Sequence, residues 1–525
     1  MANARSEAQR RRQARPGGGD VRCNLIRFLS LSAALLACPA WAAKWDVVPT
    51  LSVGETYTDN LSLAPDALKG RDWVTQVTPG ISISATGPRL RFNATYAPEF
   101  IYYARAQEDH KVNQRLNATG NAELAKQLLF VDAGVNVNQY NVSLQGPLTT
   151  SNVNTTGNRT TAKTFFVSPY LLRDFGSAVR GEARFTYSVW NSDETTVLSD
   201  SGANRIILRL ASGPAYKLLT WDLAYSKETI NYESQKDTFT EVITASARRL
   251  ITPTVGLLAK AGYEDYDARV IGPASERLLW SAGFDWTPTP RTRLATTAGQ
   301  RFYGDTYSLD FRHRTRLTSW SAGYSEDVTS TRSAFFVPAT SSTAGYLEPL
   351  FLSQFPEPVA RQKAVEDFIA RTALPPSLGA PLNFFSNQLF LVKRWQASAG
   401  LLGVRNVLIA HVFNESREVL AGSVVLPSTG DFAASNTVRQ TGMSLQWNWR
   451  MTAQNAWNLG GTYSRNEFPD ISRIDNLSYV GMGLTRQFQP RLSGSLNYRR
   501  QQNNSNQSAS SYTENAVLAT LQMRF

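Results

Sequence analysis

Polar and apolar residues alternate along most of this chain. From Arg180 to Val189 the polar members are Arg180, Glu182, Arg184, Thr186 and Ser188, with Gly181, Ala183, Phe185, Tyr187 and Val189 between them. Arg89 to Tyr96 and Arg491 to Arg499 repeat the pattern. The last residues do so again: Val517, Ala519, Leu521, Met523 and Phe525 are apolar, Thr520, Gln522 and Arg524 are polar, and Leu518 is the exception. A period of two puts successive side chains on opposite sides of a strand, one oily and one wet. Such segments of about ten residues recur from Ala43 to the end, the weak signature of a membrane-spanning barrel strand. No stretch after Ala43 approaches the ~20 apolar residues of a spanning helix.

The connections alternate in length. Tight links stand at Thr86 to Pro88, Leu250 to Thr254, Thr287 to Arg291, Gly403 to Asn406 and Gln489-Pro490. Longer polar links stand at Asp59 to Asp72, Asn141 to Thr161, Trp190 to Gly202, Ile271 to Ser275, Ala421 to Thr437 and Gln502 to Ser511. Short periplasmic turns and long outer loops, with both termini in the periplasm, produce this alternation. The expected fold is all-β: one antiparallel outer-membrane β-barrel over residues 43–525, with about 22 strands (20–22). An even count requires Ser333 to Pro338 to be a short strand, entered by a turn near Asp327. One segment breaks the rhythm. Residues 339–387 are rich in proline, and Pro358 to Arg371 carries Ala364, Val365, Phe368 and Ile369 at helical spacing. This long loop with a short helix is expected either to fold into the pore as constriction or lid, or to pack on the rim.

The first 42 residues read differently. Phe28 to Ala37 is an apolar run behind Arg22 and Arg27, and Ala40-Trp41-Ala42 supplies a small-x-small cleavage pattern, so 1–42 reads as a secretory signal. Residues 1–20 are arginine- and glycine-rich and precede what would be an ordinary signal starting at Val21, where translation is expected to begin. Leu35-Leu36-Ala37-Cys38 is a partial lipoprotein box, weakened by Leu36 and Pro39. Seven arginines against Glu7 and Asp20 carry +5 of the chain's +12, which leaves +7 after cleavage. That balance suits acidic ligands or anionic lipopolysaccharide, and equally a solvated lumen. Both cysteines, Cys23 and Cys38, fall within the signal. The three histidines, His110, His313 and His411, have no metal-ligand spacing. No cofactor and no nucleic-acid partner is expected.

Charge matters most where it shares a face. Arg89 and Arg91, Arg180 and Arg184, Arg205 and Arg209, Arg291 and Arg293, and Arg312, Arg314 and Arg316 lie at even spacing within each set. Charge on the lipid side at mid-depth costs about 2–4 kcal/mol, so these arginines are expected to line the lumen. There they would select for an anionic solute, or pair with Glu182, Asp222, Glu228 and Glu264 in an inert lattice. Tyr102, Tyr103, Trp190, Trp221, Trp280, Trp286, Trp447, Trp449 and Trp457 fall near expected strand ends. Girdles at the two membrane interfaces account for them, with lumenal stacking of sugar rings as the alternative. No catalytic motif is present. His411, Asn414 and Ser416 do not form a rim triad, because His411 and Ser416 differ in strand parity.

Two resemblances add to this reading. The ending at Leu521, Met523 and Phe525 resembles the C-terminal signal that outer-membrane barrels present to their assembly machinery. Trp45 to Pro49, Glu55 to Leu61, Asp72 to Ile81, Gly87 to Leu90, His313 to Arg316 and Tyr324 to Asp327 together resemble the outer-membrane β-barrel family associated with the PEP-CTERM/exosortase protein-sorting system. The resemblance implies a barrel serving exopolysaccharide export or surface protein sorting, with outer-membrane lipid, lipopolysaccharide and polymer-export proteins as partners. It carries no functional residues with it. Three functions follow in order: a pore or export conduit, a closed docking barrel for surface polysaccharide or assembly partners, and an outer-membrane enzyme.

Overall fold

The computed structural model describes residues 43–106, 110–193, 200–233, 237–266, 277–336, 347–348, 351, 361, 365, 386, 389–420, 430–433 and 435–525. The expected signal peptide and nearly all of the expected helix 358–371 lie outside the described residues.

Strand β1, Lys44–Thr58, pairs along its length with β2, Asp72–Thr86. Strand β3 is interrupted: Leu90–Tyr96 and Glu99–Tyr103 both pair with β2. Pro98, between the halves, has no N–H to give to the ladder. Strand β4 breaks at the same level into Lys111–Asn113 and Leu116–Ala125. The rest follow in chain order: β5 Leu129–Asn141, β6 Arg159–Phe175, β7 Val179–Ser192, β8 Ser201–Ser212, β9 Leu219–Tyr232, β10 Thr238–Leu250, β11 Val255–Tyr266, β12 Leu278–Thr289, β13 Thr292–Arg301, β14 Gly304–Arg314, β15 Thr318–Ser330, β16 Leu389–Leu402, β17 Asn406–Val419, β18 Thr437–Arg450, β19 Asn455–Phe468, β20 Arg473–Gln489, β21 Leu492–Ser505 and β22 Tyr512–Arg524. Each pairs antiparallel with its sequence neighbour, and β22 pairs back onto β1, so the sheet closes with 22 strands. The closing ladder runs from Thr50 opposite Arg524 to Thr58 opposite Ala516, and the Phe525 N–H donates to the Pro49 carbonyl at 3.0 Å. Trp45 lies beyond this seam.

The alternation read from the sequence sorts the two sides. Val517, Leu521 and Met523 point outward and are exposed, as are Ile206, Leu208 and Leu210 on β8. Arg205 and Arg209, at odd positions of the same strand, take the opposite face. Among the described residues no helix is long and apolar enough to cross a membrane, and the crossing is made by strands. Trp45, Trp286, Trp320 and Trp449 form an outward belt toward the short-turn end, and Trp73, Tyr102 and Trp280 another toward the long-loop end. Two residues expected in these girdles are elsewhere. Tyr103 and Trp190 are buried on the inner face at 2% and 0% exposure, because proximity to a strand end says nothing about parity.

The expected strand at Ser333 to Pro338 is a second correction. Asp327 sits inside β15, opposite Val392, and helix α1 occupies Thr331–Phe336. The Ser330 hydroxyl accepts the Ser333 N–H at 3.2 Å, an N-terminal cap that turns the chain into a helix. An even strand number is reached without this segment. Strands β13 and β14 are joined at the long-loop end by only Phe302 and Tyr303, a tight turn that needs Gly304 at φ 116°.

Candidate functional site: the lumen wall and its outer cap

The inner face is polar but unevenly neutralised. Along much of the wall the charges pair. Arg301 binds Glu264 at 2.6 Å, and Glu264 is fully buried. Arg248 makes two hydrogen bonds to Asp285, at 2.8 and 2.7 Å. Arg209 bonds Asp222, and Arg184 bonds both Asp132 and Glu182 at 2.7 and 2.8 Å while lying over the Tyr170 ring. A cavity of about 780 Å³ runs along this balanced stretch, touching Arg209, Asp222, Arg248, Lys260, Glu264 and Arg301.

The arginines singled out in the sequence therefore divide. Arg180 pairs with Asp174 at the short-turn end, and Arg205 reaches Ser226 opposite Glu228. Arg91 lies on the inner parity of β3, Arg89 in the turn before it, and Arg316 in the turn between β14 and β15. Arg312 pairs with Asp310 at 3.0 Å on an exposed stretch, and Arg314 follows on the same face. The structure brings Arg312 and Arg314 together with Arg291 and Arg293 around a second cavity, of about 730 Å³, at the short-turn end. Glu348 and Arg361, described residues of the 339–387 segment, line the same cavity and pair with each other at 3.3 Å. That part of the segment is therefore inside the barrel.

At the other end the mouth is crossed by the connection between β5 and β6. Asn154, at 1% exposure, donates to the Glu514 carboxylate on β22 at 2.8 Å and to the Leu61 carbonyl at 3.3 Å. Its own carbonyl oxygen Oδ1 accepts from the Thr149 hydroxyl at 2.7 Å. Glu514 is fully buried and also accepts from Thr58 and Arg499 at 2.8 and 2.9 Å. The Tyr512 hydroxyl donates to the Leu148 carbonyl at 2.9 Å. Farther along, the Leu144 N–H and the Ser143 hydroxyl donate to Asp431, in the connection between β17 and β18. Arg473 donates to the Gln145 carbonyl at 2.6 Å. Leu144 and Leu148 join Leu63, Phe390, Phe432, Phe468 and Tyr512 in one apolar cluster. Burial holds the Asp431 carboxyl above the ordinary carboxylate range, against the lowering effect of its bonds to Ser143, Leu144 and Gln145. On the opposite wall, Arg332 of α1 donates to Ser188 and Ser201, which ties that helix to β7 and β8. The sequence marked 142–158 only as a long polar link. Its partners on β22 are more than 350 positions away, beyond any local pattern.

No catalytic grouping appears among the described residues. His411 is buried on the inner face beside Phe413, whereas Asn414 is exposed on the outer face with Thr441. The described residues hold no group of His, Cys, Asp and Glu suited to a metal ion.

The described residues thus form a closed antiparallel barrel of 22 strands, the fold of outer-membrane barrels. Residues 428–525 match the family model described as "Putative beta-barrel porin 2". No curated protein matches the chain in sequence. Among solved structures, it is similar to a point mutant of the ferric enterobactin receptor PfeA of Pseudomonas aeruginosa. The two share 10% identity, with 92% of this chain and 81% of that one covered and a TM-score of 0.46. The siderophore receptor PirA from Pseudomonas aeruginosa shares 11% identity over 91% of this chain and 80% of that one, TM-score 0.42. A BenF-like porin from Pseudomonas fluorescens Pf-5 shares 8% over 91% and 99%, TM-score 0.35.

Proposed function

We propose that the barrel is a passage for anionic solutes across the outer membrane, closed at its outer mouth by the 142–158 connection. The observation that carries this is the inner wall. It is polar, with cationic groups in excess among the described residues at the short-turn end and a cap held by side-chain bonds at the other. A wall built only for rigidity has no need of an excess of cations. The polymer that the family resemblance suggests is an exopolysaccharide, exported through the barrel in concert with surface protein sorting. Its acidic sugars would meet the unpaired arginines. Leu521, Met523 and Phe525, exposed on the outer side of the closing strand, are the residues we assign to recognition by the barrel assembly machinery.

The filled outer half favours a second reading, a closed barrel whose outer loops dock surface polysaccharide. Liposome swelling separates the two. Vesicles carrying the protein should admit small organic anions faster than neutral sugars of equal size once the cap is shortened. Vesicles that remain impermeable to both would support the docking barrel.

A further inference from the structure

Four arginines meet at the short-turn end of the lumen, and the described acids beside them are fewer. Arg293 on β13 stands directly opposite Arg312 on β14 in the ladder. Arg314 follows two positions on, and its N–H bonds the carbonyl of Arg291 in the preceding turn at 2.9 Å. Like charges directly opposite each other destabilise a strand pair. Asp310 answers only Arg312, and Glu348 answers only Arg361, which adds a fifth guanidinium to the same cavity. Among the described residues, Arg291, Arg293 and Arg314 have no carboxylate partner. The cavity of about 780 Å³ shows the contrast, since there Arg209, Arg248 and Arg301 each hold a carboxylate. A self-repelling group is kept at the wall of a cavity of about 730 Å³, within the usual size of a small-molecule site.

We propose that this cavity is a binding site for a solute bearing a carboxylate or phosphate group, gripped by Arg293 and Arg314 with Arg291 and Arg312 beside them. Guanidinium forks bind both groups through paired N–H donors, which a lysine cluster would not reproduce. Hydroxyls at Ser319, Ser321 and Ser398 extend the wall beyond the arginines and suit the hydroxyl groups of an acidic sugar. Ser321 and Ser398 lie 2.6 Å apart and leave lone pairs and a proton available to a ligand. The site deepens the passage reading, as the place where an anion entering from the periplasm is first held.

Isothermal titration of the purified full-length protein in detergent tests the site, with sodium glucuronate, inorganic phosphate and glucose as separate probes. Glucuronate or phosphate should bind, glucose should bind at least tenfold more weakly, and Arg293→Gln with Arg314→Gln should lower anion affinity at least tenfold. The anion that binds more tightly identifies the source, a sugar acid or a free phosphate. Arg293→Lys should recover only part of the loss, and Arg405→Gln, in a turn outside the cavity, should leave affinity unchanged. Equal binding of glucose, no binding of either anion, or an unchanged affinity in the double variant would overturn the proposal. If the double variant fails to assemble, Arg314→Gln alone is read in the same way. Because binding is read without conduction, a silent barrel that binds anions loses only the passage, and a conducting barrel that does not bind loses only the site.

Discussion

The cap over the outer mouth is tied to the closing strand at Asn154, and a substitution there should weaken its closed arrangement. Asn154 offers the cleanest perturbation, because it belongs to the connection and not to a strand. Truncation to alanine removes one bond to a charged acceptor, Glu514, and weaker ones to the Leu61 carbonyl and from the Thr149 hydroxyl, besides a 3.5 Å contact from Arg499. The first kind contributes about 1.5–3 kcal/mol and the second about 1 kcal/mol. Glu514 keeps Thr58 and Arg499, so no buried charge is orphaned and the barrel itself should be unaffected. The closed arrangement should lose about 3 kcal/mol, a factor on the order of 10² in the ratio of closed to open mouths. In planar bilayers Asn154→Ala should spend far more time in a conducting level than the native protein at the same voltage. The unit conductance should stay the same, since the lumen wall is untouched. Identical dwell times in the two proteins, with the variant folded, would refute the assignment of 142–158 as the cap.

Other consequences can be measured independently. Arg301→Ala strands the fully buried Glu264 and should cost about 3–5 kcal/mol in denaturant unfolding, whereas Thr297→Ala on the same strand should cost under about 1 kcal/mol. Leu208→Arg puts a charge on the outward face near mid-membrane and should lower stability by about 2–4 kcal/mol, although native Arg209 beside it is tolerated; an equal melt would reverse the sidedness of β8. Deleting Phe525 removes an exposed terminal aromatic and its N–H bond to Pro49, and should reduce the heat-modifiable, assembled fraction of protein in outer membranes. Asp431 carries a pH dependence of definite sign. Its folded pKa is raised by burial, so its contribution to the cap is complete below the ordinary carboxylate range and falls as pH rises through the raised value. Hydrogen exchange at Leu144, corrected for intrinsic rates, should be slower at about pH 5 than at about pH 8, and the reverse order would contradict that sign.

Much of the architecture could be read from the chain because a strand repeats every two residues. Ile206, Leu208 and Leu210 against Arg205 and Arg209 show how reliably parity separates lipid from lumen. Closeness to a strand end carries no such information, and Tyr103 and Trp190 face inward although they stand near strand ends. Ser333 to Pro338 has strand-like residues, but the capping hydroxyl of Ser330 and the bonds of Arg332 to β7 and β8 win over local propensity. The cap was illegible for a different reason. Asn154 and Glu514 meet only after the barrel closes, and neither carries a local signature of that contact. The arginine spacing did indicate a shared face. Which of those arginines lack partners depends on the register between β13 and β14 and on acids contributed by distant strands.

The central claim is that an anion-preferring passage lies behind loops that fill the outer mouth and lumen. Its most direct test is single-channel recording of a variant shortened at both Ser143 to Gly157 and Ala339 to Asn387, in asymmetric potassium chloride. The account predicts discrete steps much larger than those of the native protein, with a reversal potential on the chloride side. A folded variant that stays silent, or that conducts with cation preference, would contradict it.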